Sequence, residues 1–258
     1  MPEPTPHEVT HYGWVPDLPD QRDHMFAAPH ATIGTLPPMV DLRPGCPPVY
    51  DQGQLGSCTG NGIGGCLEFD QMKQGQSDVF TPSRLFIYYN ERVMEGTVNS
   101  DSGAQIRDGV KSVAKSGAPH EDIWPYDITK FADKPTQQVY DDASNHQAVS
   151  YQRVTRDQRQ MQGCLAAGYP FVFGFSVYDS FESAEVASSG VVPMPAAGEQ
   201  LLGGHCVVAV GYDDSEQRFI CRNSWGTGWG MAGYFTMPYA YLLARALSSD
   251  FWTIRSVE

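Results

Sequence analysis

Residues 51–62 read DQGQLGSCTGNG and place Cys58 directly after a glycine-containing loop, at the start of a predicted helix. The N-terminus of a helix presents unpaired N–H groups and a partial positive charge, which favour a thiolate over a thiol. Gln52, in the same loop, carries a side-chain amide that can donate a hydrogen bond to a nearby anion. The arrangement suits a nucleophile. A free cysteine is more often a small buried apolar residue, and that structural role is the alternative.

The helical pattern continues beyond Cys58. A second helix is predicted over residues 84–94, and a third over residues 104–117, where apolar residues recur at helical spacing and Gly117 stands at the C-cap. Residues 50–130 are therefore predicted to be mainly helical.

The second half of the chain changes to patterns typical of strands. Apolar and β-branched runs bounded by turn residues predict strands over residues 169–177, 204–212 and 217–225. The turn between the last two predicts a hairpin, and a closing helix is predicted over residues 239–247. Residues 150–240 are thus mainly strand. A helical half followed by a strand half predicts an α+β protein with two lobes and a cleft between them.

His205 and Asn223 lie on the predicted hairpin, which would bring them near one another. An asparagine carbonyl that accepts one imidazole N–H fixes the ring and leaves the other nitrogen facing the Cys58 sulfur. Trp225 would shield that hydrogen bond from water and so strengthen it. Each residue also has a plainer alternative: a structural histidine at a strand start, a turn asparagine, and core positions for Trp225 and Trp229.

The composition of the whole chain restricts the classes of function. The 258 residues are 41% hydrophobic, enough for a sizeable core, and carry a net charge of −13 without a basic stripe. These features argue against a nucleic-acid partner, and the lack of an apolar run of about 18 residues argues against a membrane span. The six cysteines show no C-x-x-C pair and no metal-ligand spacing, so no metal and no cofactor is predicted. Most are predicted to be free thiols, with a Cys46–Cys164 disulfide left open.

Residues 1–35 are predicted to form an extended arm, because they are rich in proline and lack periodicity. A disordered terminus is the usual alternative, but Tyr12, Trp14 and Phe26 are apolar anchors that such a tail rarely carries. The start of the chain has neither the basic nor the apolar region of a signal peptide, which predicts a cytoplasmic protein. Secretion is the alternative if an export signal has been removed.

Several motifs carry a resemblance to a known family: DQGQLGSC at 51–58, GGHCVVAVGYDD at 203–214 and, most specifically, NSWGTGWGMAGYF at 223–235. They resemble the papain family of cysteine peptidases. The resemblance runs from about Leu36 to about Phe235 and includes LPPMVDLR at 36–43 and the segment 101–126. The short arm is similar to that of bacterial members such as xylellain.

The resemblance implies a papain-like, two-lobed α+β fold, with a helical left lobe, an antiparallel β-barrel-like right lobe and the active-site cleft between them. Its catalytic domain would span residues 36–258. Within it, the implied parts are a helical lobe over about 50–150, a β lobe over about 151–240, and a C-terminal helix and tail over 239–258. The arm, residues 1–35, would be similar to a pro-segment.

The resemblance also implies the chemistry. A Cys58 thiolate and a His205 imidazolium would cleave peptide bonds through a thioester, with Asn223 orienting His205 and Trp225 supporting the pair. Gln52 would stabilise the oxyanion. The substrate would be a peptide or protein, held as an added strand in the cleft. The implied substrate-binding residues are Gly103, Ala104, Ile106, Gly204 and Trp229.

This sequence departs from the family pattern at three positions. Leu55 and the region of Asp101 stand where the family usually has a disulfide pair, and Thr59 replaces an aromatic residue after the nucleophile. The joint loss of both cysteines fits a reducing compartment. An acyltransferase, ligase or deamidase with the same triad is the first alternative function, and a non-catalytic binding module is the second. The chain is expected to be a monomer whose arm limits access to the cleft.

Overall fold

The computed structural model describes residues 11–257. The strands are β1 (Met25–Phe26), β2 (Met39–Asp41), β3 (Ala148–Val154), β4 (Phe171–Tyr178), β5 (Leu201–Asp213), β6 (Arg218–Arg222), β7 (Tyr234–Pro238) and β8 (Ser248–Val257). The α-helices are α1 (His30–Gly34), α2 (Cys58–Gln74), α3 (Arg84–Glu95), α4 (Ile106–Ser116), α5 (Gln137–Ala143), α6 (Gln158–Ala166), α7 (Ala184–Ser189) and α8 (Tyr239–Leu243). Short 3₁₀ helices cover Arg43–Gly45, Ile128–Lys130 and Asp179–Glu182.

The helices of the first half begin and end where local signals predict. Helix α2 begins at Cys58, as the glycine-containing loop before it indicates. Helix α3 is capped by the Ser83 hydroxyl, which accepts a hydrogen bond from the backbone N–H of Phe86. Helix α4 stops at Gly117, whose φ of +73° is a conformation that glycine adopts at low cost. The predicted helical half is therefore confirmed.

The strands form a mixed sheet in the order β1-β3-β8-β4-β5-β6-β7, with β2 paired to β5. All pairs are antiparallel except β1 with β3. In this register Phe175 of β4 lies opposite His205 of β5, and β5 continues into the predicted hairpin with β6. The predicted α+β class is confirmed. The sheet is open among the described strands, whereas the resemblance implies a barrel-like lobe.

The C-terminal segment differs from its prediction. The helix expected over 239–247 ends at Leu243, and the expected tail is strand β8, which lies between β3 and β4 inside the sheet. Its Phe251, Trp252 and Ile254 side chains are buried, so this strand completes the core instead of trailing from it. Both of its partners are distant in sequence, and no local pattern predicts such a pairing.

The arm is also more structured than predicted. Residues 25–26 form β1 against β3, residues 30–34 form helix α1, and Phe26 and Ala28 are buried in the core. Only part of residues 11–35 is extended chain, and residues 1–10 of the predicted arm lie outside the described residues.

Small residues let α2 pack closely against the sheet. A Cβ built on Gly62 would lie 3.1 Å from a Val172 methyl group and 3.3 Å from the Cys206 sulfur. A larger residue there would push the helix away from β4 and β5. The close packing fixes the N-terminus of α2, and with it Cys58, at the junction of helices and sheet. Within residues 11–257, no helix is long and apolar enough to cross a membrane.

Candidate active site

The loop before Cys58 is held by hydrogen bonds from both halves of the chain. The Gln52 N–H donates to the Ser224 carbonyl (2.9 Å), and the Gln52 carbonyl accepts from the Tyr126 hydroxyl (3.0 Å). Asn61, one turn into α2, donates from its side chain to the Ser57 carbonyl (3.0 Å). Cys58 itself is fully buried. The nucleophile candidate therefore stands on a loop whose backbone is fixed from both sides.

His205 and Asn223 are joined by a hydrogen bond. The His205 Nε2 lies 2.8 Å from the Asn223 Oδ1, which also accepts the Ser224 backbone N–H at 2.9 Å. Two donors on one atom identify it as the carbonyl oxygen, so Nε2 carries the proton of this bond. The Trp225 ring stacks on the imidazole, with ring centres 4.9 Å apart and planes 25° apart. The hairpin thus brings these three residues together, and their catalytic roles stay a prediction.

The Gln52 side chain is buried between Ser224 and the loop that precedes Cys58. Its Oε1 accepts from the Ser224 hydroxyl (2.6 Å), and its Nε2 donates to the Leu55 carbonyl (3.0 Å). The Ser224 contact orients the amide so that its nitrogen points into the loop that precedes Cys58. This orientation is compatible with the predicted role as an oxyanion donor.

Residues 13–15 of the arm lie in the cleft and pair with its backbone. Trp14 N–H donates to the Gly204 carbonyl (2.9 Å), and Val15 N–H donates to the Ala104 carbonyl (3.0 Å). In return, Ala104 N–H donates to the Gly13 carbonyl (2.8 Å), which forms a parallel bridge. The arm therefore occupies backbone groups of Ala104 and Gly204, two residues predicted to bind substrate.

The arm approaches the nucleophile loop most closely at Gly13. A Cβ built on it would lie 1.7 Å from the Gly56 carbonyl oxygen, a distance that no side chain can adopt. On the other side, a Cβ on Gly103 would lie 2.3 Å from the Gly13 carbonyl oxygen. Glycines on both chains are what let the arm approach the nucleophile loop so closely.

The covered Cys58 is a neutral thiol. Burial raises its pKa to about 12, against the lowering effect of N–H groups of Cys206, Gly13 and Thr59 that point at the sulfur. The resemblance implies a thiolate at neutral pH, so this state of the site differs from that expectation. The cause is the loss of water around the sulfur.

Side chains of the arm cover the rest of the site. The Tyr12 hydroxyl donates to a carboxylate oxygen of Glu182, and its ring meets the His205 ring edge-on at 6.1 Å. The Trp14 indole lies against Gly174 and Gly204, where a Cβ would come within 3 Å of the ring. Glycine at these two sheet positions makes the space that the indole fills.

A charged cluster fastens the next residues of the arm. Asp23 pairs with Arg107 (2.7 Å) and with Arg153 (2.9 Å), and Arg153 also pairs with Asp250 (3.1 Å). The Asp17 carboxylate accepts from the Trp252 indole (2.9 Å), and the Asp17 N–H donates to Asp250 (2.8 Å). The ion pair of Asp23 with Arg107 is almost fully buried, which ties the arm to helix α4.

This geometry can be compared with known proteins. Residues 36–242 match the papain family cysteine proteases, peptidase family C1. The chain belongs to the papain family of cysteine proteases. It is a cysteine peptidase, as its motifs indicate.

Several relatives of this protease are similar over nearly all of its length. A peptidase C1-like protein of Acanthamoeba polyphaga mimivirus is 42% identical over 270 residues, covering 95% of this chain and 87% of that protein. Xylellain, a cysteine protease of Xylella fastidiosa, has a solved structure that is 45% identical with a TM-score of 0.90, and 96% of each chain is covered. Procathepsin B of Trypanosoma congolense is similar in fold, with 17% identity and a TM-score of 0.73 over 92% of this chain and 83% of that one.

This papain-family chain holds its nucleophile loop with a carboxylate where the family usually has a disulfide. The Gly56 N–H donates to both Asp101 carboxylate oxygens (3.1 and 3.0 Å), and the Tyr88 hydroxyl donates to one of them (2.5 Å). Leu55, at the other half of the missing pair, is buried. All six cysteines are free, so the Cys46–Cys164 disulfide left open is not formed. The absence of both cysteines is evident from the sequence, but their replacement by this carboxylate contact is not.

At Thr59, the other position that departs from the family pattern, a contact with an acidic side chain again replaces the usual one. The Thr59 hydroxyl donates to Glu91 (2.6 Å) in the space between α2 and α3. Burial raises the pKa of Glu91 well above its usual value, so the carboxyl is held in its neutral form. A buried Thr–Glu pair therefore supports the nucleophile helix of this protease where an aromatic residue is usual. Nothing in the local sequence around Glu91 signals this contact.

The two predicted pocket residues are buried in this state. Ile106 begins α4 inside the core against which Trp14 packs. Trp229 packs between Trp225 (ring centres 5.2 Å apart) and Phe181 (5.5 Å). Their contact with substrate stays a prediction, since the arm covers the cleft that they would line.

Proposed function

We propose that the chain is a latent endopeptidase in which Cys58 attacks peptide carbonyls and residues 12–15 block the cleft in cis. The observation that carries the proposal is the pairing of Gly13–Val15 with Ala104 and Gly204 directly over Cys58. A substrate added as a strand to the same backbone would need the same hydrogen bonds. Arm and substrate therefore exclude one another.

The chemistry proposed for the open site is acyl transfer. His205, oriented by Asn223, takes the Cys58 proton through its Nδ1, and the thiolate attacks the peptide carbonyl. The Gln52 amide and the Cys58 backbone N–H stabilise the tetrahedral oxyanion. His205 then protonates the leaving amine, and water cleaves the thioester to regenerate the thiol. The N-terminal position of Cys58 on α2 favours its thiolate once the arm leaves and water reaches the sulfur.

Gly13→Ala is expected to expose the active site. The added methyl group would overlap the Gly56 carbonyl oxygen, so residues 12–15 would be displaced while the buried anchors Asp23 and Phe26 keep the fold intact. Overpacking of this kind costs about 1–3 kcal/mol, enough for about a tenfold rise in the fraction of open sites. The measurement is the rate at which an epoxide inhibitor labels Cys58, followed by intact mass, together with the peptidase rate.

Gly34→Ala is the matched control, because a Cβ at Gly34 meets nothing within 4 Å. It should label and cleave at the rate of the unchanged chain. If Gly13→Ala, shown by circular dichroism to be folded, labels no faster than the Gly34→Ala protein, the arm does not limit access. Failure of both proteins to cleave any peptide, with Cys58 labelled normally, would instead count against the peptidase proposal.

Mild acid is expected to strengthen the binding of the arm to the cleft. Burial, and then the charge of Asp250, raises the pKa of Asp17 to about 6 when the arm is bound, whereas a free arm has the ordinary value near 4. A carboxyl whose pKa is higher in the bound state takes up a proton on binding, so this contribution favours binding below pH 6 and is lost above it. Lowering the pH from 7 to 5 should therefore tighten the arm by about tenfold.

The measurement compares labelling of the unchanged chain with that of the Asp17→Asn protein at each pH. The intrinsic reactivity of Cys58 cancels in this ratio, and only the unchanged chain carries the Asp17 carboxyl. The ratio should fall by about tenfold from pH 7 to pH 5. A ratio that stays constant or rises in acid would overturn the prediction.

A further inference from the structure

Two histidines and an aspartate converge on the helical lobe, away from Cys58. His120 lies in the loop after α4, Asp142 is in the last turn of α5, and His146 follows that helix. One ligand atom from each lies within 4.8 Å of the other two, and all three residues are half-buried. None of them takes part in the proposed peptidase chemistry.

The three residues are held in place by their surroundings. The His120 ring stacks on Phe80 (ring centres 3.7 Å, planes 7° apart), and the His146 ring meets the same phenyl ring edge-on at 4.6 Å. The backbone N–H of His120 donates to an Asp142 carboxylate oxygen (3.2 Å), and the His146 backbone carbonyl accepts from the Ala118 backbone N–H (3.1 Å). The donor set is thus assembled by packing and backbone contacts before any ligand arrives.

We propose that His120, Asp142 and His146 bind a divalent transition metal of the Zn²⁺ class. Two imidazoles and one carboxylate form a donor set that suits this ion, with a fourth position for water. Ligand atoms around tetrahedral zinc are about 3.4 Å apart, so small side-chain rotations close the present spacing.

Two further carboxylates lie near the ring nitrogens of His120. His120 Nε2 lies 3.8 Å from an Asp78 oxygen, and His120 Nδ1 lies 3.9 Å from an Asp122 oxygen. Whichever nitrogen takes the metal, the other faces a carboxylate that can orient the ring and raise its basicity. His120 also lines an open groove of about 630 Å³, through which solvent and ions reach it.

The site would fasten a loop that supports the nucleophile helix. Glu121, next to His120, pairs with Arg84 (2.7 Å), and Arg84 donates to the Asn61 side chain (2.9 Å) in α2. A metal at His120 would restrain this chain of contacts from outside the cleft. Its expected effect is on stability, since none of the three ligand residues is among the residues that contact the Cys58 sulfur.

The experiment is calorimetric titration of Zn²⁺ into the full chain carrying Cys58→Ser, purified without a histidine tag. The Cys58→Ser background removes the thiol–imidazole pair as a competing zinc site, so the result does not depend on the peptidase proposal. We expect about one equivalent to bind, and we expect His146→Gln and His120→Gln each to weaken binding by at least about tenfold. His30→Gln, an exposed histidine outside the cluster, is the matched control and should bind as the background does.

Two further readouts identify the ligands. Co²⁺ in place of zinc should give the visible bands of nitrogen and oxygen ligation without a thiolate charge-transfer band. A Zn²⁺ concentration of about 100 times Kd should raise Tm by about 5 °C or more, and Asp142→Asn, which keeps an acceptor for the His120 N–H, should reduce this rise. Absence of binding, an affinity in the His120→Gln and His146→Gln proteins as high as in the Cys58→Ser background, or a thiolate band would each overturn the proposal. Circular dichroism of the variants separates loss of ligation from loss of fold.

Discussion

Replacing Cys58 by serine is expected to reduce peptide hydrolysis by about 10⁵- to 10⁶-fold, the size of loss seen when a catalytic nucleophile is removed from a triad. Cys58 is the first residue of α2, and the arm covers it directly. The serine hydroxyl has nearly the same shape, but its pKa is far too high for His205 to ionise it at this position. The measurement is the single-turnover cleavage rate of a peptide in the Gly13→Ala background, in which a larger fraction of sites is open.

Cys46→Ser is the matched control for this prediction. Cys46 is half-buried, its thiol donates to the Leu42 carbonyl (3.4 Å), and burial raises the pKa of this thiol to about 11. The Cys46→Ser protein should keep its full rate and its full epoxide labelling, whereas the Cys58→Ser protein should lose both. Residual labelling of the Cys58→Ser protein would assign the reactive thiol to another cysteine. The product mass also separates hydrolysis, which yields a free acid, from transfer of the acyl group to an amine.

The sequence predicts the parts of the site that depend on local chain order. Cys58 at a helix start follows from the loop that precedes it, and the meeting of His205 with Asn223 follows from a hairpin with a short turn. Both need only a few neighbouring residues to form. The motifs at these positions are also the most specific ones in the chain, so local physics and resemblance agree.

The remaining features depend on contacts between distant segments. Strand β8 pairs with β3 and β4, and neither partner is next to it in sequence. Gly13 is required only because the Gly56 carbonyl lies beside it. Asp101 fixes the loop only because it lies beside the Gly56 N–H. Periodicity and composition carry no information about which segment will meet which, because the same glycine or aspartate is compatible with many environments.

The protonation state of Cys58 also depends on a contact between distant segments. The helix N-terminus favours a thiolate, and that part of the argument is local. Burial opposes it and is the larger effect, which raises the pKa of Cys58 to about 12, and Gly13 of the arm is among the residues that contact the sulfur. Reactivity is thus set by a segment whose position cannot be predicted from the loop itself. Displacement of the arm would both admit substrate and restore water to the thiol.

Gln52→Ala is expected to lower kcat by about 10²- to 10³-fold, equivalent to about 2.7–4 kcal/mol of transition-state stabilisation. The backbone of Gln52 is fixed independently of its side chain, by the Ser224 carbonyl and the Tyr126 hydroxyl. The substitution should therefore remove the amide donor, including its hydrogen bond to the Leu55 carbonyl, while the backbone contacts of Gln52 stay in place. KM should change little, because the donor acts on the oxyanion that forms only during reaction. The measurement is steady-state kinetics in the Gly13→Ala background.

The Ser224→Ala variant tests the hydrogen bond that orients the Gln52 amide separately from the amide donor itself. Ser224 holds the Gln52 amide through its hydroxyl (2.6 Å) but keeps the backbone contact to Gln52 when the side chain is shortened. We expect this protein to lose no more than about tenfold in kcat, the effect of a single hydrogen bond that orients the amide. Gln52→Glu, which has the same shape but places a negative acceptor near the oxyanion, should be at least as slow as Gln52→Ala. If Gln52→Glu retained most of the activity, the side chain of Gln52 would act in positioning the loop and not as an oxyanion donor.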